Sequence, residues 1–281
     1  LAVHFSVDRR YLVLNYIMVK GSDAMSARVS RLAIMLFGLP FSPLSAADIS
    51  KLIADHIRAP DENVGLLITP NIQHIALMRT NEEFRRACEQ AEILTCDGFP
   101  LYYYGRCRGL PLPGRVTGRE ITEDLMSMPS ALRKHRIFAV VDSERTGKAV
   151  VEWARAHGLD DRFSFYVPAV GFENDPTEAR HLARLIRDHA TSLLFMGVGA
   201  PRSELFVSRY KDDLPPCWAL CIGQSLIVAL GLLPKPPVLV QRLNLEWLWR
   251  IALEPRRLAK RYVWALSEFL IALFKDLSRV G

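Results

Sequence analysis

The sequence predicts a mostly parallel α/β sheet with helices on both faces, followed by a basic, aromatic, helical appendage at the C-terminal end. Three observations predict it. Short apolar runs alternate with amphipathic segments from about residue 46 to 230, the order that strands joined by crossover helices require. The runs are apolar almost throughout, as strands buried on both faces are. After Gly231 the alternation stops: residues 232–239 contain three prolines and no clear period, and segments rich in Arg and Trp follow.

Taken in order, residues 1–24 mix Arg9, Arg10, Lys20 and Asp23 with short apolar runs and lack a signal-peptide cleavage pattern. Residues 1–30 are read as a disordered N-terminal extension, of which 1–24 reads equally as an over-extended gene start. The α/β core is expected at 31–231 and the appendage at 232–281. Buried strands are expected at 64–69, 91–96, 136–141, 162–167, 192–197 and 217–223. Helices are expected at 46–57, 81–90, 99–107, 120–132, 144–157, 176–189 and 203–212. Asp175-Pro176 is a strong helix start, a capping Asp before Pro at the first helical position. Residues 214–234 are uncharged over nearly a membrane-spanning length, but Pro215, Pro216, Gly223, Gly231 and Pro234 interrupt them, which fits a strand, a turn and a short helix instead. Two further helices are expected at 243–253 and 255–277. The second carries the apolar run 269–274 between Glu268 and Lys275, too short to cross a bilayer and suited to lie on one.

The chain has 281 residues, half of them hydrophobic and 23% charged, which excludes a disordered polymer and allows a substantial core. Its formal net charge of +6 favours an anionic partner: nucleic acid, lipid head groups or a phosphorylated substrate. Between residues 242 and 262 six cations stand against two acids, so much of the excess sits there. Arg250 and Arg257 are seven residues apart, two helical turns, and on a continuous helix would share a face. Trp247, Trp249 and Tyr262 are interleaved with them, a pattern that suits a membrane interface better than nucleic acid. The five cysteines form no C-x-x-C pair and several lie in apolar runs, as reduced, structural thiols do.

Four segments carry candidate chemistry. Thr69-Pro70-Asn71 leaves the first expected strand and offers two neutral hydrogen-bonding side chains, or simply a helix cap. Asp97-Gly98 closes the next strand: either a turn, or a carboxylate placed to take a proton from a substrate hydroxyl. Gly114-Arg115-Val116-Thr117-Gly118 is either a turn or a loop whose Arg115 pairs with phosphate. Gly197-Val198-Gly199-Ala200-Pro201-Arg202-Ser203-Glu204 runs from strand to helix, an anion-binding geometry, yet it is a weak match to a dinucleotide fingerprint. The sequence has no Asp-x-Asp, no phosphate-binding G-x-x-x-x-G-K-[ST] and no G-x-S-x-G, and its histidines show no metal-ligand spacing.

In this order the segments resemble the WecG/TagA/CpsF glycosyltransferases of bacterial cell-surface polysaccharide synthesis. The resemblance runs from about Leu36 to Phe274, through FGLPFSPLSAADI, TPN, CDG, RVTG, Gly171-Phe172, GVGAPRSE and LEWLWR…EPRRLAKRY. It implies a Rossmann-like core, a membrane-touching appendage, and transfer of a hexosyl unit from a UDP-sugar, with inversion, to a polyprenyl-diphosphate-linked sugar. It further implies a peripheral location on the inner face of the cytoplasmic membrane, with no cofactor and no metal; a homo-oligomer is compatible with it. Carried over by position, Asp97 is the base that activates the acceptor hydroxyl, and Thr69 and Asn71 position substrate. Arg115, Gly197, Gly199, Pro201, Arg202 and Glu204 contact substrate, and Arg250, Arg257 and Lys260 neutralise the departing diphosphate. Ser203, Ile227, Lys235, Lys260 and Arg119-Glu120 depart from the family pattern, which points to a changed donor preference. The competing readings are a non-catalytic relative that binds lipid-linked glycan or partner transferases, and a nicotinamide-dependent enzyme.

Overall fold

The computed structural model describes residues 11–14, 31–234, 237, 239–240, 246–253 and 255–280. A six-stranded sheet forms the centre, built from β4 (Gly65–Ile68), β5 (Ile93–Leu94), β6 (Ile137–Val140), β7 (Phe163–Tyr166), β8 (Leu193–Met196) and β9 (Trp218–Cys221). Its order is β5-β4-β9-β8-β6-β7 and every pairing is parallel. All six expected strands are present. Successive side chains point to opposite faces: Ile68, Val140 and Met196 enter one core, Leu67, Ala139 and Phe195 the other. Among the described residues Trp218 is the largest fully buried side chain; its indole nitrogen donates to the His56 carbonyl at 3.0 Å. Gly65 makes room for it, since a methyl there would stand 2.7 Å from the indole.

The helices cover both faces. α1 (Ala46–Asp55), α5 (Gly118–Met126), α6 (Pro129–Leu132) and α7 (Glu144–Ala156) feed one core. α2 (Ile72–Thr80), α3 (Glu82–Glu89), α4 (Phe99–Cys107), α8 (Pro176–Asp188) and α9 (Arg202–Tyr210) feed the other, and α10 (Ser225–Ala229) follows β9. Two helices differ from expectation. The helix expected at 120–132 is split at Ser127-Met128, because Pro129 lacks an N–H and disfavours helical backbone before it. α2 is an addition. His74, Ile75, Ala76 and Met78 are all buried, so α2 shows no clean polar stripe from which a period could be read.

A second, antiparallel sheet also lay outside the expectation: β1 (Tyr11–Leu14), β2 (Arg31–Leu36) and β3 (Leu39–Phe41). Phe37 and Gly38 join β2 to β3, both with positive φ (53° and 74°). Two-residue hairpin turns need that backbone, and Phe is an unusual residue to adopt it. Packing explains the choice, as the Phe37 ring lies 5.3 Å from Tyr104 and 5.6 Å from Phe269. Tyr11–Leu14 is a strand inside the expected disordered extension; the rest of residues 1–30 lies outside the described residues.

The described part of the appendage includes α11 (Glu246–Leu253) and α12 (Pro255–Val280). α12 lies along α2 and buries Leu258, Ala265, Phe269 and Ala272. Arg79 pairs with Glu268 at 2.9 Å, and Tyr104 and Arg108 both donate to Asp276, at 2.8 and 2.6 Å. Asp276 is itself buried, and its carboxylate pushes the Tyr104 hydroxyl, already raised by burial, up to about 12. On the outer side Val263, Leu266, Leu270, Phe274 and Leu277 form an exposed stripe with helical spacing. Among the described residues no helix is long and apolar enough to cross a membrane.

Two histidines tie stability to pH. His135 is fully buried, its ring between Ser192 Oγ (3.2 Å) and the Ala54 carbonyl (3.3 Å). Burial lowers its pKa and that of His189. A histidine harder to protonate folded than unfolded contributes stability that is complete above the ordinary imidazole value, about 6.5, and is lost as the pH falls below it. The melting temperature should therefore drop between pH 7.5 and 5.5, and a His135→Gln/His189→Gln variant should show a flatter dependence.

Candidate active site

Because all strands of the central sheet run the same way, their C-terminal ends open on one side, the side on which such sheets bind ligands. Backbone contacts gather the strand exits there. The Asp97 N–H donates to the Pro70 carbonyl at 3.1 Å, joining the β5 exit to the β4 exit. Val116 N–H donates to the Cys96 carbonyl at 2.9 Å and Thr95 Oγ1 to the Val116 carbonyl at 2.8 Å, which lays the Arg115 loop beside Asp97. Gly98 faces Asn71, where an added methyl would stand 3.1 Å from the Asn71 Cα. At Gly118 a methyl would lie 3.0 Å from Ser225 Oγ and 3.3 Å from Thr69 Oγ1, so α5, α10 and the β4 exit converge on one point. A methyl on Gly197 would stand 3.1 Å from the Val140 carbonyl and 3.6 Å from that of Gly223, which brings β6, β8 and β9 into the same rim.

The structure thus brings together Thr69, Asn71, Asp97, Arg115, Gly197 and Gly199. Thr69 is buried, while Asn71, Asp97 and Arg115 are half-buried at the rim. Opposite charges flank the buried Cys96 thiol: burial and then Asp97 push it up to about 12, and Arg115 pulls it down. Asn71 Oδ1 accepts from Gln73 N–H (2.9 Å) and His74 N–H (3.4 Å), so this oxygen is committed to capping α2 and the amide NH2 is what it can offer a ligand.

The loop before α9 turns at Gly199, with φ of +80°. Pro201 stands at the rim of this loop, at the N-terminus of α9. Arg202 folds back and donates to the Val198 carbonyl, and the buried Ser203 hydroxyl points at the carbonyls of Gly199 (3.4 Å) and Met196 (3.5 Å). Glu204 is turned inward rather than toward the rim. It is 1% exposed, with Oε1 3.5 Å from His74 Nε2 and, among the described residues, no hydrogen-bond partner for Oε2. Glu120 closes a capping box with Thr117 (2.9 Å), and Ile227 is buried in α10. Lys260 is exposed on α12; Lys235 and the side chains of Arg250, Arg257 and Trp247 lie outside the described residues. Trp249 is half-buried.

Reading the sequence passed over His74 and Ser225. His74 lacks metal-ligand spacing, but it stands three residues after Asn71, where a side chain on the first turn meets the residue that caps the helix. That local signal was present.

Gly118 tests the convergence. Gly118→Ala should force Thr69 and Ser225 apart by a few tenths of an ångström and lower turnover about tenfold, with a small change in melting temperature. Steady-state rates and a thermal melt of the same preparation measure both.

A profile of the Glycosyl transferase WecG/TagA/CpsF family matches residues 34–280. Among curated proteins, the chain is similar to an N-acetylglucosaminyldiphosphoundecaprenol N-acetyl-beta-D-mannosaminyltransferase of Bacillus subtilis (strain 168), 25% identical over 199 residues, 70% of this chain and 75% of the relative. It is likewise similar to the proteins of that name in Bacillus spizizenii, at 23% identity over 76% of this chain and 81% of the relative, and in Staphylococcus aureus (strain MRSA252), at 18% over 80% and 86%. Matched over most of its length, and with its motifs gathered at one end of a parallel sheet, the chain belongs to the WecG/TagA/CpsF family and is a glycosyltransferase.

Proposed function

We propose that this enzyme moves a hexosyl unit from a UDP-sugar to a sugar carried on a polyprenyl diphosphate, with inversion and without a metal ion, at the inner face of the cytoplasmic membrane. The observation that carries the reading is the position of Asp97, a carboxylate at a strand exit, tied through its own N–H to the Thr69–Asn71 turn and flanked by the Arg115 loop. The names of the Bacillus and Staphylococcus relatives describe transfer of an N-acetylmannosaminyl unit onto N-acetylglucosaminyl-diphospho-undecaprenol, which supports the same kind of acceptor here.

In this reaction the acceptor hydroxyl oxygen attacks the anomeric carbon of the donor while Asp97 takes its proton. The bond from that carbon to the diphosphate oxygen breaks, and its electron pair leaves with UDP. A carboxylate suffices as base because the hydroxyl becomes acidic only as the new bond forms. Thr69 and the Asn71 amide NH2 position the sugars. The 197–201 loop lies beside the nucleotide, where Gly197 and Gly199 let backbone approach the phosphates. Arg115, Arg250, Arg257 and Lys260 offset the charge developing on the diphosphate. The exposed stripe Val263, Leu266, Leu270, Phe274 and Leu277 supports seating of α12 on the bilayer that carries the acceptor. Departures at Ser203, Ile227, Lys235 and Lys260 support a donor sugar different from that of the relatives.

The test is UDP release from a panel of UDP-sugars, with a short-chain lipid-diphosphate sugar as acceptor. One donor should be turned over, and Asp97→Asn should lower that rate by about 10²-fold or more without moving the melting temperature. An Asp97→Asn enzyme at the wild-type rate would contradict the base. Acceptor binding with no release from any donor would favour a non-catalytic, glycan-binding relative.

A further inference from the structure

Glu204 has the least explained surroundings of any charged group in the described core. It is 1% exposed, its Oε2 has no hydrogen-bond partner among the described residues, and its Oε1 lies 3.5 Å from the Nε2 of His74. The thiols of Cys88 on α3 and Cys221 on β9 are raised, by burial first and by the Glu204 carboxylate next, so both elements close over it. Burying a carboxylate this way costs stability, and an apolar side chain would fill the position more cheaply. Such costs tend to persist where function needs them.

His74 shows what the group is connected to. Its Nδ1 lies 3.0 Å from Asn71 Oδ1, an atom that can only accept, and 3.4 Å from the Asn71 N–H. The shorter contact is attractive only if Nδ1 carries a proton. Nε2 lies 3.5 Å from the Glu204 carboxylate oxygen, where a proton on either group would bridge the two. With such a bridge in place, Glu204 fixes the ring orientation that lets Nδ1 donate to Asn71.

We propose that Glu204 and His74 are positioning residues, a buried clamp that holds the Asn71 amide in its working orientation and ties the 197–201 loop to the first turn of α2. The clamp rests on the reading of Asn71 as a substrate-positioning group. It links the β8 and β4 exits, so the donor loop and the acceptor-side turn move as one unit. It also gives Glu204 a role beneath the site in place of a contact with substrate.

A double-mutant cycle tests it. Glu204→Leu should lower kcat on the order of 10- to 100-fold, while the melting temperature holds or rises because a buried charge is gone. Glu204→Gln, whose amide can donate to Nε2, should recover at least about a third of the lost turnover. In an Asn71→Ala background, Glu204→Leu should cost less than about twofold more, because nothing remains for the clamp to orient. Losses that multiply instead would overturn the clamp alone. An Asn71→Ala enzyme at full rate would overturn the reading of Asn71 and the clamp together. Nitrogen-15 shifts of His74 in the wild-type protein give a readout that needs no variant to fold: a protonated, hydrogen-bonded Nδ1 is expected, and an unprotonated Nδ1 overturns the proposal.

Discussion

Much of this structure depends on one oxygen, Oδ1 of Asn71. It caps α2 by accepting from Gln73 and His74 N–H groups, and an Asn cap of this kind is worth about 1 kcal/mol to its helix. α2 is the helix on which α12 rests, so the cap fixes the start of the element that carries the appendage. The same residue presses against Gly98, next to Asp97, and its backbone follows Pro70, whose carbonyl receives the Asp97 N–H. Moving Asn71 would disturb the proposed base, the helix and the appendage together.

That arrangement explains why the site is built from short, glycine-rich turns. Six parallel strands deliver their exits to one side, and a catalytic rim requires neighbouring exits to approach within van der Waals distance. Gly98, Gly118 and Gly197 stand at the approaches, each where a methyl would come within 3.1 Å of a neighbouring atom. Gly118 shows the consequence most clearly, since the two hydroxyls it accommodates, Thr69 and Ser225, belong to different strand exits. Backbone hydrogen bonds from Asp97 and Val116, joined by one from the Thr95 hydroxyl, hold the rim together.

The central sheet was legible because strands buried on both faces are apolar throughout, and Ile137–Val140 and Leu193–Met196 read that way without context. α2 was not legible, because α12 covers its outer face and removes the polar stripe that marks a surface helix. The β2–β3 hairpin escaped because Phe37 holds a positive φ that usually signals Gly or Asn, and its ring packing against Tyr104 and Phe269 is a long-range fact. For the site, the strand-end motifs meet at the exits of the central sheet, yet each was equally a turn or cap in local terms. The inward direction of Glu204 and its meeting with His74, 130 residues earlier, follow from topology alone. The arginines expected to complete the site, Arg250 and Arg257, have side chains outside the described residues.

The central claim is that a nucleotide diphosphate sits across the exits of β4, β5, β8 and β9. Amide hydrogen exchange with and without UDP measures this directly. Slowed exchange is predicted in residues 95–98, 114–118, 197–203 and 222–225, with no change along α8. Protection centred instead on the arginines of α8, Arg180 and Arg184, which line a separate cationic surface groove, with none at the strand exits, would contradict it.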